Sequence, residues 1–347
     1  MKKLFDVPDA RKVHINPIPS LGGLGIFAGF ILAILISLPP GSAPEFQYYI
    51  AAAFIIFFLG IKDDILVISP VKKFIGQLLA AFIIVYKGGV QIKSMHGFLG
   101  VYDMPEMFSL ALTYFTIIVI INSFNLIDGI DGLAGSLAVL AASLFGLYFI
   151  AVEQTSYAIL SFALSGSMLA FLIFNFSPAR IFMGDTGSLL TGLVAAILVI
   201  KFINVSDQSS ALPVPAAPAV GFSILIIPLV DTLRVFSVRM LHRRSPFSPD
   251  RNHVHHLLLD YGMTHRTITL VLVSLNIVFI MIATFLGQLI GCTATICTMI
   301  ALAYGSFSIA WYYKPRPRFF VAKTKEQEEA TLIAKRSLFT FTKEKLQ

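Results

Sequence analysis

Ten apolar stretches separated by short polar segments run along almost the whole chain. Each approaches the length that a helix needs to cross about 30 Å of hydrocarbon once tilt is allowed for. We therefore expect an all-α integral membrane protein with about ten transmembrane helices. The predicted spans lie near residues 21–38, 46–61, 71–86, 107–122, 132–152, 156–174, 187–203, 218–236, 267–287 and 292–313.

Composition supports the same class. The 347 residues are 56% hydrophobic and 13% charged, with a mean hydropathy of +0.82. A soluble domain carries about 25% charged residues, so this class is excluded. The two cysteines, Cys292 and Cys297, fall in the last stretch, where we expect packed thiols and no disulfide or metal site.

Basic residues set the predicted orientation. With a cytoplasmic N-terminus, the Lys and Arg residues of short segments fall almost entirely inside, and the outer loops hold only Lys87, Lys93 and Lys201. The pI near 9.3 reflects this asymmetry, so we infer no nucleic-acid partner. Residues 1–313 form the predicted membrane domain and residues 314–347 a predicted cytoplasmic tail, whose basic residues suit contact with anionic lipid.

The outer loop 88–105 alternates weakly between apolar and polar residues, which predicts a short β-hairpin on the outer face.

Carboxylates and carboxamides lie at the ends of several apolar stretches. A charge near hydrocarbon costs several kcal/mol, so each indicates function. Because all emerge on the predicted cytoplasmic face, we expect one active site built from cytoplasmic loops. Clustered oxygen ligands are what Mg²⁺ and its phosphates require. The residues are Asp63, Asp64, Asn125, Asp128, Asp131, Asp185 and Asp231.

Asp63 and Asp64 are adjacent and cannot point the same way on a helix. This suits one carboxylate to contact a metal or lysine and the other to accept a proton. A structural ion pair with Lys62 or Lys73 is the alternative.

Glycines beside the carboxylates, at 129, 132, 184 and 187, let backbone N–H groups approach a phosphate at a helix start. Tight turns or close helix contacts are the alternative. Phe182 is either a stacking platform for a base or an interfacial anchor.

Histidines crowd the last predicted cytoplasmic loop, at 253, 255 and 256. No cysteine or fourth ligand lies nearby, so zinc is disfavoured. The loop also contains Arg251, and a guanidinium binds phosphate oxygens bidentately. We therefore predict that the loop binds a diphosphate. A solvated basic loop is the alternative, and His265 is expected at the surface or membrane interface.

Five segments, taken in their order along the chain, resemble those of the bacterial MraY/WecA-type polyprenyl-phosphate N-acetylhexosamine-1-phosphate transferases, of the glycosyltransferase 4 family. The resemblance covers residues 9–313, and the His253-Val-His255-His256 spacing is similar to the WecA/TagO-like branch, which uses UDP-N-acetylglucosamine. The segments are residues 11–23, 60–64, 122–134, 182–188 and 250–256.

The resemblance implies a role for each matching residue. Asn125 and Asp185 would hold Mg²⁺, for which Mn²⁺ could substitute, and Asp131 and Phe182 would read the uracil. Asp63 and Asp64 would handle the lipid phosphate, with Asp128 in the same catalytic set. The residues expected at phosphates are Lys12, Lys73, Arg251, His253, His255 and His256.

Two departures from the family's pattern stand out. The family usually has a helix before the Lys12 loop, whereas eleven residues precede Lys12 here, so we expect that first helix to be missing. Val67 stands where the MraY branch has a lysine, which leaves Lys72 or Lys73 as the nearby cation.

The resemblance thus implies transfer of N-acetylglucosamine 1-phosphate from UDP-N-acetylglucosamine to undecaprenyl phosphate, which gives undecaprenyl-diphosphate-N-acetylglucosamine and UMP. This is the first membrane step of a cell-envelope polysaccharide pathway, such as lipopolysaccharide or teichoic acid synthesis, in the bacterial inner membrane. Another UDP-N-acetylhexosamine is one alternative, and a secondary transporter or an inactive scaffold is another. The sequence leaves a homodimer open.

Overall fold

The computed structural model describes residues 5–6, 18–66, 68–206, 211–241 and 253–313. Helices dominate, and two small antiparallel sheets pair β1 with β2 and β3 with β4. The elements are β1 Phe5–Asp6, β2 Ile18–Pro19, α1 Gly22–Ser37, α2 Phe46–Leu66, α3 Pro70–Tyr86, β3 Ser94–Phe98, β4 Val101–Asp103, α4 Glu106–Ile127, α5 Leu133–Ala151, α6 Thr155–Asn175, α7 Gly184–Ser206, α8 Ala217–Ile224, α9 Ile226–Leu241, α10 Val254–Asp260 and α11 His265–Tyr312.

Every predicted apolar stretch overlaps a helix of the structure. Five described helices, α4, α5, α6, α7 and α11, are long and apolar enough to cross a membrane, and α8 with α9, bent by 82°, provides a sixth if counted as one span. The last two predicted stretches form α11, which is broken at Gly291 (φ 76°). The chain is thus a multi-pass membrane protein, and the count of ten spans stays a prediction.

Helix α7 is the centre of the bundle. It is apolar on all sides, as expected of a helix without a solvent face. In its most apolar 18-residue segment, 83% of the residues are buried. It packs against α1, α2, α4 and α5. Large apolar side chains on the outer helices, such as Leu35, Phe58 and Ile173, point away from the protein. The bundle therefore has an apolar rim as well as an apolar core, which suits contact with lipid.

Glycines bring α7 close to its neighbours. A Cβ on Gly192 of α7 would lie 2.5 Å from Cα of Ile121 on α4, and one on Gly60 of α2 would meet the backbone of Thr186. Small residues of this kind let membrane helices approach closely. The end of α2, the end of α4 and the start of α7 are thus held together.

The opposite end of the bundle carries a separate polar network. The Tyr49 hydroxyl donates to the carbonyl of Gly88 (2.9 Å), and the Tyr157 hydroxyl donates to Glu45 (3.0 Å). The small β3–β4 sheet lies in the predicted hairpin segment 88–105, beside this network, since Asn204 of α7 donates to the carbonyl of Gln91 (2.7 Å). The two ends of the bundle therefore differ in chemistry.

We expect Gly192→Ala to destabilise the protein by about 1–3 kcal/mol, because the added methyl group meets a backbone atom that cannot yield. The matched control is Gly166→Ala on α6, where nothing lies within 4 Å of the new Cβ. Thermal unfolding in detergent measures both. Equal melting temperatures for the two variants would contradict the close contact between α4 and α7.

Candidate active site

A cavity of about 750 Å³ opens at one end of the bundle. Its wall combines the end of α2, the turn between α4 and α5, the loop between α6 and α7, the start of α7, and the segment from α10 to the start of α11. Predicted site residues that line it are Asp64, Asn125, Asp128, Asp131, Phe182, Asp185 and His256. Lys12 and Arg251 lie outside the described residues.

Asp64 caps the N-terminus of α7 from the neighbouring helix α2. Its Oδ1 accepts a hydrogen bond from the backbone N–H of Asp185 (2.8 Å), and its Oδ2 accepts from the backbone N–H of Thr186 (3.1 Å) and the Thr186 hydroxyl. A helix start leaves unpaired N–H groups and partial positive charge, which a carboxylate satisfies. Asp64 thereby fixes where Asp185 lies.

Gly184 makes this cap possible. Its φ of 67° is in the left-handed region, and a Cβ there would lie 2.8 Å from both carboxylate oxygens of Asp64. At this position the glycine serves a close contact between helices, which was the alternative to phosphate binding.

Lys73 joins three side chains from three helices. Its ammonium contacts the Asp185 carboxylate and lies 3.2 Å from both Asp63 Oδ2 and Asn125 Oδ1. Asn125 donates to Asp185 Oδ1 (2.8 Å), so Asp185 is held between a cation and an amide. Of the two lysines left open by the sequence, Lys73 is the one beside the carboxylates.

Asp63 faces away from Asp64, as their adjacency on a helix requires. Its Oδ1 accepts from the backbone N–H of Ile68 (2.7 Å), and its Oδ2 pairs with Lys73. Asp63 is not among the described residues that line the cavity.

The oxygen ligands near Asp185 fit a Mg²⁺ site that has few protein ligands and is completed by waters and substrate phosphates. Among the described residues, no three His, Cys, Asp or Glu side chains converge to hold an ion on their own. Mg²⁺ usually binds one or two carboxylates and completes its shell with waters and substrate phosphates. Asp185 and the Asn125 amide, both at the cavity wall, match that mode.

Asp128 follows the last residue of α4 and faces the cavity. Burial raises the pKa of its carboxyl to about 7, and the negative charges of Asp185, Asp64 and Asp131 add to the shift. A carboxyl with a pKa near neutrality can both take up and release a proton at physiological pH.

Asp131 is held at both of its oxygens. Oδ1 lies 3.1 Å from Nδ1 of His265, and Oδ2 accepts from the backbone N–H of Ala179 (3.1 Å). Burial pushes the pKa of Asp131 upward, but these two donors outweigh it and hold the pKa below its usual value. The carboxylate therefore stays ionised and oriented toward the cavity.

His265 corrects a prediction from the sequence. We expected it at the surface or membrane interface, yet it lines the cavity and its side chain is only 18% exposed. It is the first residue of α11, beside Thr264, whose hydroxyl caps that helix. Its place at the start of an apolar stretch, on the same face as the carboxylates, was the available signal.

The three histidines of the 253–256 motif have different surroundings. His253 lies just before α10 and its Nδ1 is 2.7 Å from Asp231 Oδ2. His255 is buried against Gly129; burial, with the nearby His256, lowers its pKa to about 3, so it is neutral. Of the three, His256 lines the cavity.

Comparison with known proteins identifies the class. The model of glycosyl transferase family 4 matches residues 46–203. The undecaprenyl-phosphate alpha-N-acetylglucosaminyl 1-phosphate transferase of Yersinia pestis is 32% identical over 268 residues, which cover 76% of this chain and 71% of that protein. The corresponding protein of Escherichia coli (strain K12) is 31% identical with the same coverage.

A probable undecaprenyl-phosphate N-acetylglucosaminyl 1-phosphate transferase of Bacillus subtilis (strain 168) is 36% identical over 281 residues, which cover 79% of this chain and 75% of that protein. The chain therefore belongs to glycosyl transferase family 4, among the polyprenyl-phosphate N-acetylhexosamine-1-phosphate transferases that its motifs resemble. The resemblance seen in the sequence is confirmed.

The two adjacent aspartates should differ in their effect on stability. Asp64→Asn places an amide opposite backbone N–H donors and leaves one unpaired, so we expect a loss of about 1–3 kcal/mol. Asp63→Asn keeps an acceptor for Ile68, and although it weakens the pair with Lys73, that ammonium is still held by Asp185, so we expect a smaller loss than for Asp64→Asn. Thermal unfolding of the two variants without substrate is the measurement. A larger loss for Asp63→Asn would contradict the assignment of Asp64 as the cap of α7.

Proposed function

We propose that this protein transfers N-acetylglucosamine 1-phosphate from UDP-N-acetylglucosamine to undecaprenyl phosphate, giving undecaprenyl-diphosphate-N-acetylglucosamine and UMP. The observation that carries the proposal is the convergence of Asp64, Asp128, Asp131 and Asp185 on one cavity at the end of an apolar helix bundle. The printed names of the relatives support the same reaction.

The cavity suits a nucleotide sugar. Its volume lies in the usual range for small-molecule sites, about 300–1,000 Å³. The ionised Asp131 carboxylate can accept a hydrogen bond from the uracil N3–H, and Phe182, on the same wall, offers an aromatic face. The diphosphate then lies toward Asn125 and Asp185, with His256 as a further donor.

Charge neutralisation is the main task at the diphosphate. Asp185 and Asn125 would hold Mg²⁺, or Mn²⁺ in its place, which when bound offsets the negative charge that develops on the phosphates. Lys73 supplies a fixed positive charge beside Asp185 and so lowers the repulsion between the acid cluster and an approaching phosphate.

We favour a one-step displacement. A lipid phosphate oxygen forms the new bond to the β-phosphorus as the bond to UMP breaks, and Asp128, with a pKa near 7, accepts the residual proton of the lipid phosphate. A covalent route would need a free carboxylate nucleophile. Asp64 has both oxygens bound to N–H groups, and Asp63 is tied to Ile68 and Lys73, so neither is free to attack. Asp128 faces the cavity, and in this proposal it takes the proton and does not attack phosphorus.

An apolar cavity of about 270 Å³ between β3, α4, α7 and the α8–α9 bend can take part of the isoprenoid chain. It is lined by Ile120, Leu225 and Leu229, among others. Ile120 precedes Asn125 by five residues on α4, a rise of about 7.5 Å. From Ile120 the cavity continues past Leu112 toward Met95 and Phe98 of β3, away from the carboxylate cluster. It would therefore hold a part of the chain distant from the lipid phosphate.

The proposed topology has ten spans in the bacterial cytoplasmic membrane, with the acidic cavity facing the cytoplasm and the β3–β4 sheet outside. The basic-residue asymmetry supports this orientation. The carboxylates that line the cavity lie at helix ends, whereas Asp231 lies within α9 and is paired with His253. Carboxylates at helix ends disfavour a transporter, whose sites lie at mid-helix breaks. The enzyme class and the UDP-sugar follow the relatives' names.

The decisive experiment is an assay of UMP release by the purified protein in lipid nanodiscs. We expect release from UDP-N-acetylglucosamine only when undecaprenyl phosphate and Mg²⁺ are both present, and slower release from other UDP-N-acetylhexosamines. Asp185→Asn should lower the rate at least about 100-fold while the protein still folds, since a site with few ligands loses its anionic oxygen. Asp103→Asn, on the exposed strand β4, is the control. UMP release without the lipid acceptor would argue against the proposed reaction.

Cysteine labelling tests the orientation. In a background without Cys292 and Cys297, cysteines at Ser69 and Ser177 should react with an impermeant reagent only from the cytoplasmic side. A cysteine at Gln91, beside the β3–β4 sheet, should react only from outside. Reaction of the Ser177 variant from outside would place the cavity on the other face of the membrane.

A further inference from the structure

A buried carboxylate–histidine pair lies behind the cavity, at the start of α10. Asp231 of α9 is 1% exposed and His253 is 5% exposed. Asp231 Oδ2 lies 2.7 Å from His253 Nδ1, and Asp231 Oδ1 accepts from the backbone N–H of Val254 (2.8 Å). Arg234 lies 3.5 Å from the same Oδ1. A charge buried this deeply persists only when it is paired, so the contacts are mutually dependent.

Helix α10 needs such an anchor. It has seven residues, far fewer than a helix needs to be stable on its own. Its first N–H group finds its acceptor in Asp231 rather than in its own turn. At the far end of the segment, His265 pairs with Asp131. Between these two anchors, His256, Leu259 and Met263 contribute to the cavity wall.

His255 connects α10 to the turn between α4 and α5, which carries Asp128 and Asp131. Its buried ring occupies the space where a side chain at residue 129 would stand. Gly129 follows Asp128 and lies two residues before Asp131. The ring of His255 also stacks on that of His253, with centroids 5.6 Å apart and planes 6° apart. A shift of His253 would therefore reach the turn that carries both aspartates.

We propose that Asp231 and His253 are positioning residues: His253 acts through Nδ1 on Asp231 to hold α10 against the cavity and does not itself bind substrate phosphate. The inference deepens the proposed function, on which its kinetic readout rests. It also departs from the role that the family resemblance implies for His253, because this ring is buried and is not among the described residues lining the cavity.

Two amide substitutions separate the nitrogens of His253. The amide nitrogen of asparagine lies close to the position of Nδ1, and that of glutamine close to Nε2, and both are donors. We expect His253→Ala, His253→Gln and Asp231→Ala to lower kcat/KM for UDP-N-acetylglucosamine at least about 30-fold. His253→Asn should restore the rate to within about threefold of wild type, because it can still donate to Asp231.

Hydrogen exchange of the backbone amides of residues 254–260 provides a readout that does not depend on catalysis. Exchange should accelerate at least about tenfold in Asp231→Ala and His253→Gln, and should stay near the wild-type rate in His253→Asn. Tyr157→Phe is the control, since it removes a hydroxyl that donates to Glu45 (3.0 Å) at the opposite end of the bundle. It should lower thermal stability without changing exchange in α10.

The outcomes are distinct. If the wild-type protein shows no transfer, the proposed function fails, while the exchange data still decide whether the pair holds α10. If His253→Asn keeps wild-type exchange but loses transfer, and His253→Gln retains transfer, then Nε2 contacts the substrate and the positioning role is overturned. Unchanged exchange in Asp231→Ala would overturn it as well.

Discussion

Every carboxylate at the acidic end of this apolar bundle has to find partners, because an unpaired charge in such surroundings costs several kcal/mol. The arrangement of the site follows from how that requirement is met. Asp64 is satisfied by N–H groups at the start of α7, Asp185 by Lys73 and Asn125, and Asp131 by His265 and Ala179. Asp128 faces the cavity among these negative charges, and its raised pKa is the consequence.

Packing and chemistry are linked through α7. The helix is buried along most of its length, and Gly192 and Gly60 allow α4 and α2 to approach it at backbone distance. These approaches bring the Asp64 carboxylate within reach of the first N–H groups of α7. Asp185 is one of those first residues, so the same contact that closes the bundle also sets the position of the proposed metal ligand. Stability and activity are therefore difficult to separate at Asp64, whereas Asp63, which does not cap α7, is free of that constraint.

The sequence was sufficient to place the helices and most of the cavity residues. Apolar stretches are long enough to read directly, and polar residues at their ends are conspicuous against them. The contacts between these side chains could not be predicted from the sequence. His265 and Asp131 are 134 positions apart, and Asp64 and Asp185 are 121 positions apart. The bend between α8 and α9 also depends on packing and was not predicted, whereas the break of α11 at Gly291 matches the boundary between the last two predicted stretches. The environment of His265 was mispredicted because its partner, Asp131, is brought to it only by the fold.

Two carboxylate–histidine pairs bracket the segment from His253 to His265, and they differ in a way that bears on function. Asp231 and His253 are fully removed from the cavity, so their contact is the same whether or not a ligand is present. Asp131 and His265 lie on the cavity wall, where, in the proposed function, the uracil would approach the carboxylate's remaining lone pairs. In the proposed function, the inner pair would hold the start of α10 in place, while the outer pair lies where the nucleotide would bind. Because Asp231 lies on α9 and outside the cavity, the first turn of α10 would keep its place in the bundle when a substrate binds beside His256 and His265.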